Sequence, residues 1–309
     1  METNLRQLHS QFISECRYSA CLRDETIRGY KNTFDLFEKI MPEITTIDLL
    51  SSLALTEFFK RIETRQRIVG KNTVKTGVKK STIKTYWSKL DCFFKWLEKK
   101  QLIAISPLDG KKSPRVNYDD FRRLEDKQIN KIYSAIISYS DNSLISRRDT
   151  LMVSILLYTG VRKGEFISLQ VKDLDFDKKL ITIRGETSKS KKTKVLPIHP
   201  TLLWHLKEYL EERKRREYKT EYLIVSSVKD KGLSREGLKH WVDSIIKKSG
   251  VKFHLHQFRH TFACKLTENG TPSLALQKLM GHTSISMTAK YTRSLKSENM
   301  NDEICKISI

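Results

Sequence analysis

Cysteine is scarce in this 309-residue sequence, and acidic residues are heavily outnumbered. The five cysteines (Cys16, Cys21, Cys92, Cys264 and Cys305) are odd in number and form no Cys-x-x-Cys pair, which argues against a disulfide framework and against a zinc ribbon. They read as reduced thiols. Long apolar runs are missing, and the start, Met1 to Arg17, is mixed polar with Glu2 and Glu15 and no apolar signal core. A membrane protein is thereby disfavoured, and a cytoplasmic, nucleoid-associated location is expected. The acid deficit is the most informative shortage: 36 Asp and Glu against 58 Lys and Arg leave a formal net charge of +22. Charge of that size repels itself across a compact surface unless a polyanion neutralises it, so nucleic acid is the expected partner.

The 39% of hydrophobic residues suffices for packed cores, and the length suits two domains. Ile27, Tyr30, Phe34, Phe37 and Ile40 recur at helical spacing, as do Phe58, Phe59 and Ile62. A third helix is expected from Ser81 as N-cap, with Ile83, Tyr86, Leu90, Phe93 and Leu97 on one side and Lys84, Lys89 and Lys95 largely outside that stripe. The basic stretch from Arg65 to Lys80 lacks sustained periodicity and contains Gly70 and Gly77, so it is expected to be a loop between helices. A solvated connection and a phosphate anchor both fit it; Lys79, Lys80 and Lys84 are candidate DNA contacts. Ile105-Ser106-Pro107-Leu108-Asp109-Gly110 ends regular structure. The expected division is a helical domain over 1–106, a linker over 107–118 and a second domain over 119–309. In the second domain, Leu180–Ile183 and Lys194–Ile198 are β-prone runs joined by a Lys-rich turn, a small hairpin within a mainly helical, mixed α/β unit.

Three separated segments carry a stronger signal. They are Thr159-Gly160-Val161-Arg162-Lys163-Gly164-Glu165, then His256-Gln257-Phe258-Arg259-His260, then Gly281-His282 leading to Tyr291. Gly160 can end one helix and let the next begin at Arg162. His256 and Arg259 share a face if a helix starts there. Four histidines within 29 residues (His254, His256, His260, His282) also raise a metal site, but there is no His-Glu-x-x-His pattern. No metal and no cofactor are expected. Cleaving a phosphodiester without a metal calls for a nucleophile, cations on the non-bridging oxygens and a proton donor for the leaving oxygen. Arginine suits the second task through bidentate, permanently charged hydrogen bonding.

In content and order these segments resemble the active site of the tyrosine recombinases, although Gln257-Phe258 departs from the family's more frequent Asp-Leu. The stretch from Ser81 to Pro114, with Phe93-Phe94-Lys95-Trp96-Leu97, more softly resembles their helical, SAM-like core-binding domain. The resemblance implies that Arg162 and Arg259 bind the scissile phosphate, Glu165 supports Arg162, His256 assists proton transfer, and His282 is the second active-site histidine. It implies Tyr291 as the nucleophile that forms a 3′-phosphotyrosyl bond. The proton donor would come from the turn holding Lys189, Lys191, Lys192 and Lys194; Lys189 matches best, and Lys191 and Lys192 are further DNA-contact candidates. The implied activity is site-specific recombination or integration without ATP, by a tetramer on two duplexes, as in a compact Xer-like enzyme or a mobile-element integrase, with a partner recombinase a further expectation. A type IB topoisomerase shares the chemistry, and an inactive DNA-binding accessory factor is the reading from another class. The segment from Glu298 to Ile309, with Ile304 and Ile307, is expected to dock onto a neighbouring protomer.

Overall fold

The structure, a computed structural model, describes residues 4–70, 72–116, 123–138, 143–187 and 192–292. The chain divides into two units, Met1–Asp119 and Asp120–Ile309. Both are mainly helical, with small sheets. Among the described residues no helix is long and apolar enough to cross a membrane. Cys16, Cys21, Cys92 and Cys264 are in no disulfide.

In the first unit the apolar periodicity produces four helices: α1 (Leu5–Tyr18), α2 (Asp24–Ile40), α3 (Ser52–Thr64) and, after a ribbon, α4 (Lys80–Lys99). Asn4 accepts from the Arg6 and Gln7 backbone N–H groups and caps α1; Ser51 caps α3 through the Ala54 N–H. Their inward stripes meet in one core that includes Leu8, Phe12, Phe34, Phe37, Phe58, Phe93 and Leu97. Two expectations are corrected. Lys79, not Ser81, is the N-cap of α4, because the Thr82 and Ile83 N–H groups already turn back to the Lys79 carbonyl. The stretch read as a loop instead holds two antiparallel strands, β1 (Gln66–Val69) and β2 (Thr73–Thr76), in which the turn falls at Gly70. Leu108 is buried in this unit's core, and Lys111 Nζ donates to the Ser52 carbonyl at 2.8 Å, so packed structure continues past Ser106.

His9 sits inside that core. Its ring stacks on Phe34 (centroids 3.9 Å apart, 7° between planes) and meets Phe93 edge-on. Burial first, then the charges of Arg6 and Lys31, lower its pKa to about 4. The folded state therefore holds His9 neutral while the unfolded chain protonates it near 6.5. Stability from this group is complete above 6.5 and is lost as pH falls from 6.5 through 4. At about 1.4 kcal/mol per pH unit, the loss approaches ~3 kcal/mol. His9→Phe should flatten the acid limb of thermal melting between pH 6.5 and 4 and leave the melt at pH 8 little changed.

The second unit places α5 (Asp126–Ser138), α6 (Ser143–Thr159) and the short α7 (Lys163–Ile167) before a three-stranded antiparallel sheet, β3 (Leu174–Asp175), β4 (Leu180–Ile183) and β5 (Lys194–Pro197). The expected hairpin is β4–β5, with Ile183 opposite Lys194; β3 adds an edge that the sequence reading missed because it is two residues long. Then follow α8 (Pro200–Arg215), α9 (Arg235–Ser249), α10 (Leu255–Glu268), α11 (Ser273–Met280) and α12 (Ala289–Thr292). α6 is buried nearly all round, from Leu151 to Leu157, and forms the centre against which α8 and α10 pack. This arrangement sets the end of α6, the start of α10 and the end of α11 side by side.

Candidate active site

Three chain reversals build the site. α6 ends at Gly160 with φ +56°, where a Cβ would lie 2.5 Å from the Phe262 ring, so the turn needs glycine twice over. α11 ends at Gly281 in the same left-handed region. α10 begins at Leu255, and its first turn carries His256 and Arg259. The carbonyls freed at these helix ends face inward, and cations fill the space between them.

Arg259 is 2% exposed and donates Nη1 to the Gly160 carbonyl (2.6 Å) and Nη2 to the Met280 carbonyl (2.5 Å). Arg162, the N-cap of α7, donates Nη2 to the Gly281 carbonyl (3.3 Å) and Nη1 to Glu165 Oε1 (3.0 Å). Glu165 Oε2 accepts from the Arg162 backbone N–H (2.9 Å) and lies 3.6 Å from Lys194 Nζ. Lys194 Nζ also donates to the Leu279 carbonyl at 3.4 Å. Three cations thus surround one carboxylate, and the surplus positive charge makes the cluster an anion site.

The charges set each other's protonation. Burial, then repulsion by Arg162, lowers Arg259 to about 10, still protonated near neutrality. Burial lowers Lys194 to about 8, opposed first by Glu165 and reinforced by Arg259 and Arg162. Burial alone would raise Glu165, but Lys194 and the hydrogen bonds from Arg162 reverse this and hold it below the usual carboxylate range. Glu165→Gln leaves Arg162 and Lys194 with no compensating charge. We expect it to destabilise the second unit by about 3 kcal/mol, read as a lower melting temperature at pH 7. The loss should shrink as pH falls below the usual carboxylate range, because the depressed carboxyl loses its stabilising charge only as Glu165 itself becomes protonated.

The histidines and the tyrosine line the same centre. His282 Nδ1 and Thr288 Oγ1 lie 2.9 Å apart, and the His282 ring is nearly parallel to that of Tyr291, with centroids 6.2 Å apart. Burial, then Arg259 and Arg162, lower His282 to about 4, so it is neutral at pH 7. His256 opens to solvent and meets His260 edge-on, with centroids 4.5 Å apart; desolvation of the ring, then Arg259, lowers its pKa as well. Among the described residues no group of three or more His, Cys, Asp or Glu is arranged to hold a metal ion. Tyr291 is 4% exposed and packs with Ala263, Cys264, Leu276 and Met280. Burial raises its pKa, while Arg259 and Arg162 pull it down.

The structure therefore gathers Arg162, Glu165, Arg259, His282 and Tyr291, with His256 at the open side. Of the lysines on the turn, Lys189 and Lys191 lie outside the described residues and Lys192 is exposed; Lys194 is the one that enters the cluster. Thr288, three residues before Tyr291, is fully buried against His282. Lys79 and Lys80 are exposed at the start of α4, and Lys84 is half-buried one turn on, all three within the first unit.

Residues 122–298 match the phage integrase family. The tyrosine recombinase XerA of Pyrococcus furiosus is 36% identical over 148 residues, 47% of this chain and 50% of that protein. The chain thus spans about half the length of that relative. The tyrosine recombinase XerC of Listeria innocua is 24% identical over 295 residues, 94% of each protein. The Tn1549 transposon integrase, solved in complex with circular intermediate DNA, superposes with a TM-score of 0.75 at 19% identity over 98% of this chain and 99% of that one.

Proposed function

Because the chain belongs to the phage integrase family of tyrosine recombinases, we propose that it is a site-specific DNA recombinase that cuts and rejoins DNA through a 3′-phosphotyrosyl intermediate. The observation that carries this reading is the convergence of two arginines, a neutral histidine and a tyrosine on one anion site.

The chemistry follows from the atoms. A scissile phosphate entering the site takes the place of a counter-ion for Arg162 and Arg259. Each guanidinium has five N–H groups, and the bonds described occupy only two of them, so donors remain for both non-bridging oxygens. His282 is neutral; in the tautomer with the proton on Nε2, Nδ1 accepts from the Thr288 hydroxyl 2.9 Å away and Nε2 donates to the same phosphate as charge develops. Tyr291 Oη attacks phosphorus, the phenolic proton passes toward His256, the P–O5′ bond breaks, and the 5′ oxygen takes a proton from Lys189. The new ester conserves the energy of the phosphodiester, so a 5′-hydroxyl from another strand reverses the step without ATP. Since Tyr291 is buried, α12 must shift when DNA binds.

The assembly we propose is a tetramer on two duplexes, with the first unit as core-binding domain and the second as catalytic domain, in a compact Xer-like resolvase or mobile-element integrase. Its setting is the cytoplasm, at the nucleoid. The test is incubation of the purified chain with a nicked duplex bearing the candidate site, scoring a denaturant-resistant protein–DNA adduct, followed by two labelled duplexes scored for exchange. Adduct with exchange is expected. Adduct with relaxation of supercoils but no exchange would replace the reading with a topoisomerase. Binding without adduct on authentic sites, with partner recombinases added, would replace it with an accessory factor.

A further inference from the structure

The first unit carries a feature that the catalytic chemistry does not use. β1 and β2 pair Gln66 with Thr76, Arg67 with Lys75, Ile68 with Val74 and Val69 with Thr73. Because successive side chains alternate, Gln66, Ile68, Val74 and Thr76 share one face of the ribbon. Ile68 and Val74 stand directly opposite each other and are 74% and 60% exposed. The base is fixed: the Gly77 N–H donates to the Arg65 carbonyl (2.8 Å), and Arg67 Nε donates to the Gly77 carbonyl (2.7 Å). A solvated connection requires neither a paired ladder nor two β-branched apolar side chains in water. The charge along the ribbon's own stretch of chain is of one sign, with the exposed Glu63 at its base just outside it. From Arg65 to Leu90 the chain has eight Lys and Arg and no Asp or Glu. Lys75, Lys79 and Lys80 are exposed, and among the described residues none of the three forms an ion pair.

We infer that the β1–β2 ribbon is a sequence-reading element, with its Gln66, Ile68, Val74 and Thr76 face set against base edges in a DNA major groove and Lys75, Lys79 and Lys80 on the flanking phosphates. This rests on the recombinase reading above. A two-stranded ribbon fits the major groove; apolar side chains there contact the thymine methyl group, and Gln pairs with adenine. A stretch with eight cations and no acid, on a chain of net charge +22, repels a second copy of itself and attracts a polyanion, which favours DNA over a self-interface. The lysines anchor the ribbon without reading sequence.

The experiment is selection from a pool of random duplexes by the full chain and by the double variant Ile68→Ser/Val74→Ser, with both melted first to establish equal folding. The variant should select the wild-type motif minus one contiguous block containing T·A pairs. Its preference for the wild-type site over random duplex should fall at least ~10-fold. Replacing thymine by uracil within that block should weaken wild type and leave the variant unaffected. Lys75→Ala should instead weaken all duplexes alike and lower the salt dependence by about one counter-ion. An unchanged motif with unchanged preference overturns the inference, as does a variant that keeps the motif but loses self-association. A wild type that selects no motif sinks the site-specific reading itself, a different result from either.

Discussion

Tyr291→Phe should abolish the covalent protein–DNA adduct while leaving the affinity for the same duplex within about twofold. Only the phenolic oxygen is deleted, and the ring that packs on Ala263, Cys264, Leu276 and Met280 stays in place. Loss of one buried hydroxyl changes stability by about 1 kcal/mol. If that oxygen is the nucleophile, no other group in the cluster can replace it: the arginines are protonated, and Lys194 is engaged with Glu165 and the Leu279 carbonyl. Removing a nucleophile from a set that works as a unit costs on the order of 10⁴-fold or more in rate. The measurement is adduct yield on a nicked duplex beside equilibrium binding to the intact one. Adduct that persists in Tyr291→Phe would assign the nucleophile to another residue. Loss of binding together with adduct would reduce Tyr291 to a packing role.

Much of this site was legible before the fold was known, and the reasons lie in local physics. Arg162 and Glu165 are three residues apart across a helix start, so their contact is fixed by one turn of backbone. His256 and Arg259 share the first turn of α10 for the same reason. Gly160 and Gly281 mark helix ends in the sequence and prove to be the points where carbonyls turn toward the arginines. Lys194 was legible only as one lysine in four. In β5 it lies in phase with buried Leu196, so alternation alone would assign that position an apolar residue. Its burial depends on Glu165 of α7, 29 residues earlier in the chain, a contact that no local pattern encodes. The β1–β2 ribbon was missed for a related reason. Its strands are four residues each; β2 is exposed throughout, and in β1 the half-buried positions are Arg67 and Val69 while Ile68 is exposed, so apolar and polar residues do not alternate in step with burial.

Arg259→Lys should lower the rate of adduct formation by about 10²- to 10³-fold with little change in duplex affinity. Arg259 joins two helix ends, because its Nη atoms donate to the Gly160 carbonyl and to the Met280 carbonyl. It does this at 2% exposure, where an orphaned carbonyl costs about 1–3 kcal/mol. A lysine keeps the charge but presents one ammonium in place of a planar fork, so it can bridge those carbonyls or face a phosphate but cannot align both. Its pKa would also fall further than that of arginine in the same buried, arginine-flanked position, since burial and Arg162 already bring Arg259 to about 10. The lysine variant should therefore lose activity more steeply as pH rises, whereas a pure bracing role would predict loss of stability with no new pH dependence. Arg259→Ala completes the comparison: it leaves two carbonyls without a donor and should lower the melting temperature along with the rate. If Arg259→Lys cleaves at the wild-type rate across pH 6 to 9, the guanidinium only braces the two helix ends, and the scissile phosphate must be held by Arg162 and His282.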